Sequence, residues 1–410
     1  MIQQYFKNTM DSILAVSEQE NGVISARKKF TLETARLGYR LYSAENPVAW
    51  CGVATPFELL YAMGVTSCFV EFVGAMLASI GEVDDFMELA EQNGYSTDIC
   101  SYHRSVNGAA LQSIMPTPDF LIATTCPCSS GFSTIEHLAK HFSRDLFVIH
   151  IPQEQDPESV SYLAEQFRDM IIFVSDHTGH PMDTDTLRQV IKKSNRTREI
   201  LLQVYEMAGA VPTPARRKDM VNFHFVMALI MGSENAIEIA ETYRKEFAKK
   251  INNNMAGVPG EQVRLMWYQN RIQFKKPLEQ MLEDEFKAAV VVDELNDVTW
   301  DPIDPDNPFE GLAKRALSNP LVGPLNKRIE HLIQLAQRDK IDGMINPCHW
   351  GCRQGTGARG LVEAGLKKAG IPVLNLEVDC VDPRNFSEGQ ARTRLQAFIE
   401  MIMARKAAAN

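Results

Sequence analysis

The chain has 410 residues, 45% of them hydrophobic and 23% charged, and a net charge of -10. That length exceeds a single typical core and calls for two or three domains, while an acidic balance with no basic block argues against nucleic acid as a partner. Charge or proline interrupts every apolar stretch within about a dozen residues, too short to cross a membrane, and Met1-Ile2-Gln3-Gln4-Tyr5-Phe6-Lys7 lacks the charged-then-apolar order of a secretory signal, so a soluble cytoplasmic protein is expected.

Residues 1–45 read as helix, with Met10, Ile13, Leu14 and Val16 on one apolar side and Phe30, Leu32, Ala35, Leu37 and Leu41 on another, which suits a cap or a subunit contact. Residues 47–53 read as a short strand. The helix after it has Thr55 at the N-cap, Pro56 at N1, Glu58 complementing the dipole in the first turn, and Gly64 past the end. Cys51 thus ends a strand in front of a helix N-terminus. A strand over 67–72, which holds Cys68, and a helix over 83–91 follow. Cys100 falls at the start of the next helix, where the dipole favours a thiolate. Residues 118–125 read as a buried strand, and Cys126-Pro127-Cys128-Ser129-Ser130-Gly131 as the turn after it. A strand over 146–151 closes a first α/β unit, residues 46–155.

Residues 156–258 read as mostly helical, interrupted at Pro181, Pro212 and Pro214. Asp176, His177, His180 and Asp183 crowd one polar turn without the spacing of a metal site, His224 reads as structural, and 220–231 as a core helix too short for a membrane. A second α/β unit over 259–410 opens with a strand at 263–268. It continues through a helix at 277–286, a strand at 288–295, an Asp/Pro-rich loop at 296–310 and a helix at 326–338, and ends on a helix from 387 to about 405 with the stripe Leu395, Phe398, Ile399, Ile402.

Between the strands expected at 342–345 and 371–378 lies the densest chemistry: Asn346-Pro347-Cys348-His349-Trp350-Gly351-Cys352, then Gly355, Gly357 and Gly360. Strand, loop, helix, strand places this loop at the carboxyl edge of a parallel sheet, where α/β proteins bind ligands. The glycines spell G-x-G-x-x-G with Glu377 or Asp379 beyond, a dinucleotide pattern, but nine residues and two thiols separate the strand from the first glycine, where a dinucleotide turn begins at once. The competing reading is a thiolate-held metal centre at a positive helix end. Two ordinary reduced cysteines are the plainest alternative. The eight cysteines, Cys51, Cys68, Cys100, Cys126, Cys128, Cys348, Cys352 and Cys380, would be free in a reducing compartment, where soft thiolates suit zinc or iron–sulfur chemistry.

Four separated stretches resemble one family. They are Pro56-x-Glu58-Leu59 with Ala62-x-Gly64; Asp98-x-Cys100-Ser101-Tyr102-x-Arg104; Thr125-Cys126; and a C-terminal block. That block has Cys352-Arg353, Gly370-Ile371-Pro372-Val373-Leu374, Glu377-x-Asp379, and Gln390-x-x-Thr393-Arg394-x-x-Ala397-Phe398-x-Glu400-Met401. Together they look like the 2-hydroxyacyl-CoA dehydratases and class I benzoyl-CoA reductases. The resemblance implies a helical cap and two flavodoxin-like parallel-sheet lobes, with an iron–sulfur cluster in the cleft held by Cys100, Cys126 and Cys352. The extra thiols Cys51, Cys128 and Cys348 extend that set to six, which would suit the double-cubane cluster of some members, a single 4Fe-4S cubane being the alternative. Cys68 and Cys380 are expected in the core, and His349 as a hydrogen-bond partner of a ligand. The activity implied is that of an iron–sulfur subunit of an ATP-dependent benzoyl-CoA reductase. Its partners would be a homologous subunit, an acyl-CoA and a separate ATP-hydrolysing activator, since this chain has no P-loop. The alternatives are a 2-hydroxyacyl-CoA dehydratase subunit or a homodimeric double-cubane reductase and, outside the family, a nicotinamide dehydrogenase or a zinc-stapled binding protein.

Overall fold

The computed structural model describes residues 2–19, 22, 24–43, 45–221, 223–274, 278 and 280–409. Among them, two four-stranded sheets form, each wholly parallel. The first contains β1 (Val48–Cys51), β2 (Thr66–Phe69), β3 (Phe120–Thr124) and β4 (Leu146–Ile149) in the order β2-β1-β3-β4. The second contains β5 (Val263–Trp267), β6 (Ala288–Asp293), β7 (Gly343–Pro347) and β8 (Val373–Leu376) in the order β6-β5-β7-β8. Both lobes therefore repeat one flavodoxin-like order in which the chain reverses direction beside the first strand, the place where such sheets hold ligands. Strands β1, β2, β3, β5 and β6 are buried at every residue, as parallel strands covered on both faces must be, and the Leu-Ile-Ala run of β3 and the Ala-Ala-Val-Val-Val run of β6 supply much of the apolar surface for it.

The cap consists of α1 (Ile2–Gln19) and α2 (Ala26–Ser43). They pack through Phe6, whose ring lies against Gly38 where a Cβ would overlap it. In the first lobe α3 (Phe57–Ala62) follows β1, α4 (Glu71–Ile80), α5 (Asp84–Gln92) and α6 (Ser101–Leu111) follow β2, and α7 (Ser129–Phe142) follows β3. Among the described residues five helices join the lobes: α8 (Pro157–Thr178), α9 (Thr184–Ala208), α10 (Arg217–Met220), α11 (Phe223–Met227) and α12 (Glu234–Asn252). Side-chain caps start two of these helices: Asp156 accepts from Ser159 N–H with Pro157 in the first turn of α8, and Ser233 accepts from Ala236 N–H at α12. The second lobe adds a π-helix (Gln280–Glu285), α13 (Pro308–Ser318), α14 (Leu325–Arg338), α15 (Arg353–Lys368) and α16 (Glu388–Ala409). None of the described helices is long and apolar enough to cross a membrane.

Several expectations need correction. Thr55 does not cap α3, whose N-cap residue is Pro56 without a side-chain bond. The strand expected to reach 72 ends at Phe69, and α4 begins two residues later. The helix expected over 220–231 is broken: α10 ends at Met220, α11 spans five residues, and turns follow; Asn222 lies outside the described residues. Pro277, expected to open a helix, also lies outside them, and what is described of that segment is the π-helix. The glycine-rich stretch is no loop, because α15 starts directly after Cys352 and carries Gly355, Gly357 and Gly360 inside it.

Polar ties cross between the lobes. Glu58, fully buried, is held by both guanidinium nitrogens of Arg315 (one at 2.7 Å) and by Ser194 Oγ at 2.8 Å; its partner is an arginine of α13, beyond the helix dipole expected for it. Arg104 in α6 donates to Asp382 at 2.8 Å, and both are almost wholly buried. Arg384 reaches Glu91 at 2.6 Å, and Arg353 meets Asp98 at 2.9 Å on the surface.

Candidate metal centre

The facing carboxyl edges of the two sheets enclose a cavity of about 470 Å³. Four thiols line it: Cys100, Cys126, Cys128 and Cys352. Three of them are N-cap residues, Cys100 of α6, Cys128 of α7 and Cys352 of α15, so three helices aim their positive ends at one space. Cys128 Sγ accepts from Gly131 N–H at 3.4 Å. At Cys100 the first-turn N–H groups of Tyr102 and His103, and at Cys352 those of Gln354 and Gly355, favour the thiolate. Cys126 packs its sulfur 3.9 Å from the Leu321 carbonyl, a contact from the second lobe.

Burial opposes these helix ends and prevails. It pushes Cys126 up to about 12 and Cys128 to about 11, and raises Cys352 and, further, Cys100, which also feels the charges of Cys352 and Cys128. Two buried and two half-buried thiols that repel one another as anions, yet stand before three helix N-termini, are a donor set that needs a cationic centre to ionise. That is the chemistry of an iron–sulfur site, and these residues fit one. Among the described residues no three His, Cys, Asp or Glu side chains close around a single-ion position.

The other expected thiols stand elsewhere. Cys51 is buried within β1, its sulfur 3.8 Å from Ala49 O and near Cys68 of β2; neither lines the cavity. Cys348 is buried off the cavity, 3.5 Å from Asn375 Oδ1 and beside Arg359, Glu377 and Arg394. Cys380, assigned to the core, is buried as expected but close enough to Cys352 and Cys100 to feel their charge. His349 reaches the site as expected, its Nε2 at 3.3 Å from Cys100 Sγ. In the polar turn at 176–183, read as lacking the spacing of a metal site, His177 is bound to Asp145 at 3.0 Å and to the Phe173 carbonyl at 2.8 Å.

Other groups went unforeseen. Glu71, first residue of α4, lines the cavity with His103, whose Nε2 lies 3.0 Å from Glu71 Oε1 and whose Nδ1 lies 2.7 Å from Ser130 Oγ. Glu71 Oε2 is buried without a hydrogen-bond partner among the described residues. Gln269, also on the wall, takes a left-handed φ of 59° after β5 and lays its amide against Gly355, which is why no side chain fits there. From Glu71 the wall continues along one face of α4 through Phe72, Ala75, Met76 and Ser79, under Tyr5, Phe6 and Thr9 of α1.

A family model described as 2-hydroxyglutaryl-CoA dehydratase, D-component, matches residues 52–402. The chain is 24% identical over 376 residues to a Clostridium sporogenes protein named (R)-phenyllactyl-CoA dehydratase alpha subunit, covering 88% of this chain and 91% of that one. It is 26% identical over 399 residues to the lactoyl-CoA dehydratase alpha subunit of Anaerotignum propionicum, covering 88% and 92%. It is 24% identical over 353 residues to a benzoyl-CoA reductase subunit of Thauera aromatica, covering 78% and 80%.

Proposed function

Because the chain belongs to the family of the 2-hydroxyglutaryl-CoA dehydratase D-component, we propose that it is the iron–sulfur subunit of a 2-hydroxyacyl-CoA dehydratase. The observation that carries this reading is the gathering of Cys100, Cys126, Cys128 and Cys352 on one inter-lobe cavity at three helix N-termini. These four are the ligands we assign. A cluster bound there would supply one-electron chemistry at low potential. The double-cubane reading would require Cys51 and Cys348 to leave their present pockets, so a single cubane suits the cavity better.

The chain's own residues bind, exclude water and handle protons. Removing water from a 2-hydroxyacyl thioester takes a hydroxyl from C2 and a proton from C3, and so needs a group that accepts or returns a proton. Glu71 lines the cavity, its Oε1 fixed by His103, itself backed by Ser130, and its buried Oε2 without a hydrogen-bond partner among the described residues, which makes it the group we assign to the proton. The apolar face of α4 and the cap suits the acyl part and keeps it dry. The subunit would act beside a homologous subunit and with a separate ATP-hydrolysing activator.

A benzoyl-CoA reductase subunit is the second reading, favoured by the Thauera relative. The test is anaerobic purification with iron and sulfide analysis, followed by assay with the homologous subunit, activator, ATP and either a 2-hydroxyacyl-CoA or benzoyl-CoA. Iron near four per chain and a 2-enoyl-CoA product support the proposal. A colourless protein with one zinc overturns it, and ring reduction without dehydration transfers it to the second reading.

A further inference from the structure

His349 is buried and held at both ring nitrogens. The backbone N–H of Cys380 donates to Nδ1 at 3.1 Å. Asp379 Oδ1 lies 3.4 Å from the same nitrogen, but that oxygen already accepts from Ser101 Oγ at 2.5 Å and from the N–H groups of Val381 and Asp382 at 2.8 Å each. A ring nitrogen that receives an N–H carries no proton, so the neutral imidazole must carry its proton on Nε2. Nε2 is 3.3 Å from Cys100 Sγ, and the bond therefore runs from nitrogen to sulfur. The Tyr102 ring stands edge-on to the imidazole, with centroids 5.6 Å apart and planes at 81°, fixing its plane.

We infer that His349 is a positioning residue that donates one N–H hydrogen bond across the lobe seam to the Cys100 sulfur, and so raises the reduction potential of the centre that sulfur holds. The inference rests on the cluster proposed above. Such a bond stabilises the more negative, reduced state, and hydrogen bonds to ligand sulfur are among the protein's levers on cluster potential. Because donor and acceptor come from opposite lobes, the tuning exists only with the lobes closed. Cys380 N–H fixes the tautomer here, so the backbone of one lobe decides which ring nitrogen faces the other.

His349→Gln can keep both bonds, its amide oxygen accepting from Cys380 and its NH₂ donating to sulfur, whereas His349→Leu removes both. Both variants should keep the wild-type iron content. Potentiometric titration should then find the Leu variant harder to reduce by about tenfold in the equilibrium, 59 mV for one electron, and the Gln variant less than half as far from wild type. As a measurement independent of the Leu variant's folding, protein with ¹⁵N-labelled histidine should show nitrogen hyperfine coupling to the paramagnetic cluster that disappears in His349→Gln and survives in His103→Gln. Iron-loaded wild type without that coupling, or equal potentials in all variants, overturns the assignment and leaves the cluster reading standing. Wild type that binds no iron overturns both.

Discussion

Gly351 links the fold to the site at one atom's width. A Cβ built on it would lie 2.5 Å from both the Cα and the N of Cys100, where ordinary contacts are 3.4–4 Å. Gly351→Ala therefore requires a separation of about 0.9 Å between two backbone segments, one in each lobe, with no side chain able to rotate away. Overpacking of this kind costs about 1–3 kcal/mol, and the backbone on both sides puts this case at the upper end. The displaced loop also carries Cys352 away from Cys100, so iron should fall in parallel. Gly357→Ala is the control: it changes the same segment, has no atom within 4 Å of the new methyl, and sits inside α15, so it should gain about 0.5–1 kcal/mol. Urea denaturation of the metal-free proteins, with iron analysis after anaerobic reconstitution, separates the two. If Gly351→Ala matches Gly357→Ala in stability and iron, the lobe contact at Cys100 is not as tight as described.

Cys100→Ser and Cys352→Ser should each lose most of the iron, while Cys51→Ala and Cys348→Ala, which lie off the cavity, should retain it; iron lost from Cys51→Ala would revive a six-thiol centre. Arg104→Met leaves Asp382 buried with Arg384 as its remaining partner and should destabilise by about 3 kcal/mol in chemical denaturation; a loss under about 0.5 kcal/mol would mean that the tie contributes little. Burial, with Arg315 adding to it, lowers His224 to about 4. With the folded value below the unfolded one near 6.5, its contribution is complete above pH 6.5 and is lost as pH falls toward 4, about 2 kcal/mol of it by pH 5. His224→Gln should flatten stability over that window, and an unchanged slope would refute the assignment.

Much of the site could be read from residue order. Cys100, Cys128 and Cys352 stand where helices begin, and the Ser129-Ser130-Gly131 turn or the break after a strand marks such points without knowledge of tertiary contacts. Direction was another matter. Cys51 and Cys348 also sit at strand ends, but which side of a sheet a strand-end thiol faces depends on the neighbouring strand, and Asn375 claims Cys348 from β8. Glu71 escaped notice because α4 follows β2 after one residue, with no cap signal and a nearly unbroken apolar sequence, so strand and helix could not be told apart. The glycines after Cys352 suggested a loop by propensity. Tertiary packing overrode it, since Gly355 packs directly on the Gln269 amide and the helix starts at once.

The seam between the lobes has an implication for traffic. Gly351 on Cys100, Ser101 on Asp379 and Arg104 on Asp382 all lie within a few residues of the thiols. Parting the lobes would break these contacts and dismantle the ligand cage together, so the seam is a poor doorway for anything that must come and go with each turnover. The opposite end of the cavity runs along α4 to Tyr5 of the cap, which is 40% exposed. On the proposed function, a thioester would enter and its product leave beneath α1, past Tyr5, Phe6 and Thr9, without any parting of the lobes.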